Sequence, residues 1–161
     1  MKKMLALLLA LVLTFAFSAA VFAEEPAAPA NDPNAEIKAE ISVLRDQLEG
    51  LRAEHKTIHD QAIAKRDTIK GLIKTSKEAG LTEKLEAAKA MKEQLTAISD
   101  EIKLIREDKT AVWTHLKAAK TQKDFETVKS DLTQIITYKQ QIIDKANARL
   151  GMLDDIIASL Q

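Results

Sequence analysis

A series of mostly apolar residues, spaced alternately four and three apart, runs through the first half of the chain. Such spacing places all members on one face of a long α-helix, because two helical turns hold about seven residues. We predict a helix near residues 34–79, with Asp32 as its cap and Pro33 in its first turn. Gly80 is expected to end it. The series is Ile37, Ile41, Leu44, Leu48, Leu51, His55, Ile58, Ala62, Lys65, Ile69, Leu72, Ser76 and Ala79.

A second series of the same kind predicts a second helix near residues 82–119. It starts at Leu81 and ends at Ala119, and it departs from strict alternation at the step from Ala88 to Met91. We interpret that step as a local change of register rather than the end of a helix.

The last segment carries a wider apolar face and predicts a helix near residues 124–160. A new helix could be capped by Thr121 or Asp124, but no Gly or Pro lies between Ala118 and Glu126, so a continuous helix stays open. A face three columns wide suits a helix that contacts two neighbours at once. The columns are Val128, Ile135, Ile142 and Ile156; Ile136, Ile143, Leu150 and Ile157; and Leu132, Ala146, Leu153 and Leu160.

Three long helices joined by short connections predict an all-α fold, an elongated antiparallel three-helix bundle with coiled-coil-like heptad packing over residues 34–161. At 1.5 Å per residue the helices would be about 55–70 Å long. Direct pairing of the first two helices about the Gly80 turn would place His55 opposite Arg106. A long bundle has little core per residue, and the wide face of the third helix could exceed what two neighbours cover, so a homo-oligomer is the alternative to a monomer.

The N-terminus has the features of a secretory signal peptide over residues 1–23. Lys2 and Lys3 precede an uncharged apolar run, and small residues follow it, which favours cleavage after Ala23, with Ala20 as the nearest alternative. An uncleaved membrane anchor is the other interpretation. Residues 24–33 are rich in Pro and Ala and predict a flexible leader. We therefore expect an exported protein, periplasmic or extracellular, without membrane insertion after cleavage.

Charge and cysteine content exclude several classes of function. The chain has 24 basic and 24 acidic residues, so removal of Lys2 and Lys3 leaves a mature net charge of −2. Near-neutral charge argues against a nucleic-acid partner, which would favour a basic face. The absence of cysteine excludes disulfides, thiolate metal sites and a lipid-modified cysteine.

His55 and His59 are the only candidates for a metal site. Their spacing of four places both imidazoles on one helical face, but a stable site needs a third ligand, for which Glu101 or Glu107 of the second helix would have to reach. A histidine in the apolar series could instead act as a pH-sensitive group, or as a polar residue that fixes register. We predict no bound metal and no cofactor.

Motifs of catalysis are missing from the sequence. It contains no Gly-rich phosphate loop, no nucleophile elbow of the G-x-S-x-G type and no H-E-x-x-H pair. Glu and Lys alternate in stretches such as "EKLEAAKAMKEQ", which is typical of solvated helix surface. We predict no catalytic residues and a protein that is not an enzyme.

Three Leu-Thr pairs recur along the chain. They occur in "LTEKL" (81–85), "LTAIS" (95–99) and "LTQII" (132–136) of an exported, cysteine-free helical chain. The chain resembles in plan the small periplasmic chaperones and envelope-stress proteins of the Spy/CpxP type, whose Leu-Thr-x-x-Gln motif ends in a Gln that is missing here. This resemblance implies an extracytoplasmic holdase chaperone. The residues themselves favour a structural or protein-interaction bundle that binds a protein partner or associates with itself.

Overall fold

The structure, a computed structural model, describes residues Asp32–Gln161, so the expected signal peptide and most of the leader lie outside the described residues. It contains three helices, α1 over Ala35–Glu78, α2 over Thr82–Gln122 and α3 over Phe125–Leu160. Pro33–Gln161 form one compact unit. The described part of the chain has no strand, and the predicted all-α three-helix bundle is confirmed.

Helix α3 occupies the middle of the arrangement. Both α1 and α2 pack along it, whereas α1 and α2 make few contacts with each other. The reason lies in the apolar faces, because α3 offers three columns while α1 and α2 each offer one stripe that α3 already covers. Direct pairing of α1 with α2 along their length, as expected from the short turn, is therefore wrong.

Burial follows the sequence pattern closely. Ile41, Leu48, Ile58 and Ser76 of the α1 series are buried, and of its members only Ala79, beyond the helix end, is exposed. Every residue of the three α3 columns is buried or half-buried. The most completely enclosed side chains are Ile135, Ile142, Ile143 and Leu153, all on α3.

The aliphatic core divides into two clusters, one toward each end of the bundle. One lies near the α2–α3 turn and includes Ile41, Leu116 and Leu132, with Trp113 and Phe125 packed against it. The other lies near the α1–α2 turn and is built on Ala88, Ile156 and Leu160. Polar residues of all three helices, described below, lie between the two clusters.

Ion pairs add to the attachment of both outer helices to α3. Lys129 pairs with Glu40 of α1, and Lys145 pairs with Glu101 of α2. A third pair joins Lys65 of α1 to Asp154. Each of these pairs has solvent-exposed members and contributes only tenths of a kcal/mol up to about 1 kcal/mol.

The ends of the helices are set by local backbone chemistry. After α1, Gly80 has a φ of 70°, and the Leu81 amide donates to the Ser76 carbonyl at 2.9 Å. This is the motif in which glycine supplies the left-handed residue after a helix. Contrary to the prediction, the N-cap position of α1 is occupied by Asn34 rather than Asp32. The Asn34 side chain makes no capping hydrogen bond to the first turn.

The break between α2 and α3 is also clear. Lys123 adopts a left-handed backbone with φ of 59°, which ends α2. Asp124 then caps α3, since its carboxylate accepts from the Thr127 amide at 3.1 Å. Of the alternatives left open by the sequence, Asp124 is the capping residue and the continuous helix is excluded.

No helix within residues 32–161 is long and apolar enough to cross a membrane.

Candidate functional site

The two candidate metal ligands lie in different environments on α1. His55 is half-buried on the face that meets the rest of the bundle, whereas His59 is exposed, with its Nδ1 3.4 Å from an oxygen of Asp60. Within residues 32–161 no group of three or more His, Asp or Glu side chains is placed to hold a metal ion. The absence of a metal stays a prediction.

Cationic side chains surround His55. Burial, and then the nearby charges of Lys139, Arg106 and Lys109 in that order, lower its pKa from 6.5 to about 4. The expected neighbour Arg106 is present, but the strongest charge effect comes from Lys139 of α3. A cation would be repelled from this position, which argues against metal binding there.

Lys139 is the most deeply buried member of a group of basic side chains from all three helices, which we call the basic layer. Its other members are Arg52, His55, Arg106 and Lys109. Only 7% of the Lys139 surface is exposed, and within the described residues Lys139 makes no ion pair. Burial, and then the charges of Lys109, Arg106 and Arg52, lower its pKa to about 8, with Glu54 acting in the opposite direction. The same two causes lower the pKa of Lys109. The layer therefore holds positive charge at a cost to stability.

His115 forms a separate polar pair. Its Nδ1 lies 2.8 Å from an oxygen of Asp131, whose side chain is 9% exposed while that of His115 is 66% exposed. The aromatic residues Trp113 and Phe125 lie toward the same end of the bundle, near the α2–α3 turn. Both aromatic rings pack against the core, with Arg52 5.9 Å from the centre of Trp113 and Lys38 5.0 Å from that of Phe125.

An open groove lies between α1 and α2. It has a volume of about 630 Å³, and α3 forms part of its floor. Aliphatic side chains of all three helices line it, among them Ile69, Leu95 and Ile156. The groove exists because α1 and α2 are both held by α3 and touch each other little.

The charge around this groove has one sign. Six cationic residues and no carboxylate line it, and the cations are Arg66, Lys70, Lys77, Lys89, Lys92 and Arg149. Among them, Lys70 pairs with Asp67 on the exposed surface. Arg149 has a buried Nε with no hydrogen-bond partner. An apolar floor with a basic rim can bind an apolar group that carries negative charge.

Sequence reasoning missed the groove and its residues. Lys89 and Lys92 lie in the stretch interpreted as solvated surface, yet both line the groove, while Glu86 and Glu93 do not. One signal was present, because Lys89, Lys92, Thr96 and Ser99 repeat at steps of three, four and three and so share a face. The irregular step from Ala88 to Met91 falls within the same stretch.

Comparison with known proteins adds no family to this description. No family model, no curated protein and no solved structure matches the chain. The resemblance to the Spy/CpxP type therefore depends only on the plan of the chain.

Proposed function

We propose that this chain is an exported, non-enzymatic interaction protein, built as a structural helical bundle with its binding surface in the α1–α2 groove. The observation that carries the proposal is the groove itself, in which apolar side chains of three helices lie open beneath a basic rim. Large concave apolar surfaces with a few polar groups are the usual binding sites of proteins. Coiled-coil-like packing and the periplasmic or extracellular location belong to this proposal.

The fate of the α3 face bears on self-association. One ground for the homo-oligomer alternative is an α3 face wider than two neighbouring helices can cover. These columns are buried or half-buried within one chain, so they leave no apolar face that needs a second copy. A partner other than the chain itself is favoured for this reason.

The alternative function is a holdase chaperone of Spy/CpxP-like plan. Such a protein needs apolar surface that is open to unfolded clients. The α3 face does not supply it. The exposed large apolar residues occur singly in α1, in the α1–α2 turn and in α2, and they are Val43, Ile63, Leu81 and Leu104. The groove is then the surface on which this alternative depends, and its volume of about 630 Å³ is small for an unfolded chain.

Export and binding can be tested in one expression experiment. The full chain is produced in a bacterial host, and the mass of the protein outside the cytoplasm is measured. We expect a species that begins at Glu24. A species that retains residues 1–23 would contradict cleavage and favour the membrane anchor, and confinement to the cytoplasm would contradict export.

The groove is tested in the same cells with a photo-crosslinking amino acid at Thr96, which lines it, and at Thr110, an exposed α2 residue outside it. Protein adducts from Thr96 but not from Thr110 support an interaction site with a protein partner. Equal adducts from both positions, or none from either, would remove the protein partner. Suppression of client aggregation that a Thr96→Glu variant loses would favour the holdase alternative.

A further inference from the structure

The two arginines of the groove lie toward one of its ends. Arg66 and Arg149 line the part that lies farther from the Gly80 turn, as their positions along α1 and α3 show. Ile73, Lys77 and Leu85 line the part nearer the turn. A ligand that follows the helices would therefore meet two guanidinium groups at one end and aliphatic side chains beside a lysine at the other.

We propose that the groove binds a single-chain anionic amphiphile. Its hydrocarbon chain lies on the aliphatic floor, and its carboxylate or phosphate lies at the Arg66–Arg149 end. Arginine suits this role because its planar guanidinium forms paired hydrogen bonds with carboxylate and phosphate oxygens. The inference rests on the groove being the interaction site proposed above, and it adds the chemical class of the ligand.

The dimensions favour a slender ligand over a helix. The groove's volume of about 630 Å³ lies within the range of about 300–1,000 Å³ typical of small-ligand pockets. On α1 it extends from Arg66 to Lys77, which is about 16 Å of helix at 1.5 Å per residue. One acyl chain covers about half of a bilayer core roughly 30 Å thick, close to this length. A helix about 10–12 Å wide would lie mostly outside a groove of this size.

The charges favour an anion over a neutral lipid. Arg149 has an Nε that is buried without a hydrogen-bond acceptor, and no carboxylate lines the groove with it. Within the described residues Arg66, Lys89 and Lys92 also make no ion pair. Positive charge concentrated over a low-dielectric floor attracts an anionic head group more strongly than the same charges in water would.

Fluorescence titration with cis-parinaric acid, an 18-carbon fatty acid that emits in apolar surroundings, tests the proposal on the chain from Glu24 to Gln161. We expect saturable binding of one molecule per chain, with an affinity that falls as salt screens the rim. The matched alcohol of this acid should bind at least about 10-fold more weakly, as the loss of a charge-assisted hydrogen bond implies. Equal affinity for acid and alcohol would overturn the proposal.

Variants locate the head group. Arg149→Gln is expected to weaken binding about 10-fold or more, while Arg45→Gln, at the opposite end of α1, leaves the affinity unchanged. If circular dichroism shows that Arg149→Gln reduces helicity, a double variant at exposed positions, Arg66→Gln with Lys92→Gln, is used in its place. The same loss of affinity is expected. An unchanged affinity in a folded groove variant would overturn the proposal.

Two competition experiments distinguish a free amphiphile from a simple anion and from a lipid surface. The crosslinking result at Thr96 distinguishes failure of this proposal from failure of the proposed function. Inorganic phosphate at the same concentration should not displace the fatty acid, because it lacks the chain; full displacement would mean a simple anion site and would overturn the proposal. Vesicles of phosphatidylglycerol should deplete the bound acid no more than neutral vesicles do, and capture of the protein on their surface would overturn it. Protein adducts at Thr96 without any fatty-acid binding would leave the interaction function standing and remove the amphiphile.

Discussion

Lys123 occupies, at the end of α2, the same left-handed backbone position that Gly80 occupies at the end of α1. Their φ angles are 59° and 70°, and each is followed by a residue whose amide donates to the carbonyl five residues earlier. Glycine takes this conformation without strain, whereas a residue with a Cβ pays about 1 kcal/mol for it. The two turns of the bundle thus use the same geometry with different residues.

Replacement of Lys123 by glycine should stabilise the protein for this reason. We expect Lys123→Gly to raise the free energy of unfolding by about 0.5–1 kcal/mol, measured by urea denaturation. Gly80→Ala is the matched control and should lower it by about 1 kcal/mol, since no atom lies near enough to a new Cβ to add a steric cost. A loss of stability in Lys123→Gly would show that its side chain contributes more than the strain.

His115 is the hydrogen-bond partner of the buried Asp131 carboxylate. Removal of the imidazole in His115→Ala deprives Asp131, which is 6% exposed, of its partner at 2.8 Å. An unpaired buried polar group costs about 1–3 kcal/mol, so the variant should be destabilised by that amount. A double-mutant cycle with Asp131→Ala measures the coupling, and additive losses would mean that the pair contributes nothing.

The spacing of apolar residues predicted much of the fold. Helical periodicity fixes the angle at which each side chain leaves its helix, so Ser76, which is polar, is buried where the series places it. The width of the α3 face likewise predicted a helix with two neighbours. Lys123 shows the limit, because no Gly or Pro marked the break and the turn had to form on a residue with a Cβ.

The candidate site could not be predicted in the same way. A helical angle tells which residues share a face, but not whether another helix covers that face. Lys92 and Arg149 look like ordinary surface cations in the sequence, and they become groove residues only because α3 holds α1 and α2 with little contact between them. That arrangement results from competition among three apolar faces, whereas pairing about the short turn alone predicts that α1 packs along α2.

Lys139 should make the free energy of unfolding rise with pH in the alkaline range. Its pKa is about 8 in the folded chain and 10.5 when exposed, so between these values the unfolded state binds more protons and stability rises with pH. Lys139→Met keeps the aliphatic stem without the charge and should be more stable at pH 7 by about 1–2 kcal/mol. Urea denaturation at pH 7, 8 and 9 checks both points, with Lys56→Met as an exposed control. If the free energy of unfolding changes with pH by the same amount in wild type and Lys139→Met, this account is contradicted.

His55 should act in the opposite pH range, below neutrality. Its pKa is about 4 in the folded chain and 6.5 when exposed. The contribution of neutral His55 is therefore fully present above pH 6.5 and is lost as the pH falls from 6.5 toward 4. Burial, together with the cations Lys139, Arg106 and Lys109, opposes protonation of His55 in the native state.

Thermal unfolding of His55→Leu and wild type between pH 4.5 and 8 measures this effect. The melting temperature of wild type should fall more steeply below pH 6.5 than that of the variant, and the two profiles should run parallel above it. His59→Leu, at an exposed position one turn away, is the matched control and should keep the wild-type profile. One shared profile for His55→Leu and wild type would mean that His55 only fixes register in the α1 series, since a register residue needs no change of charge.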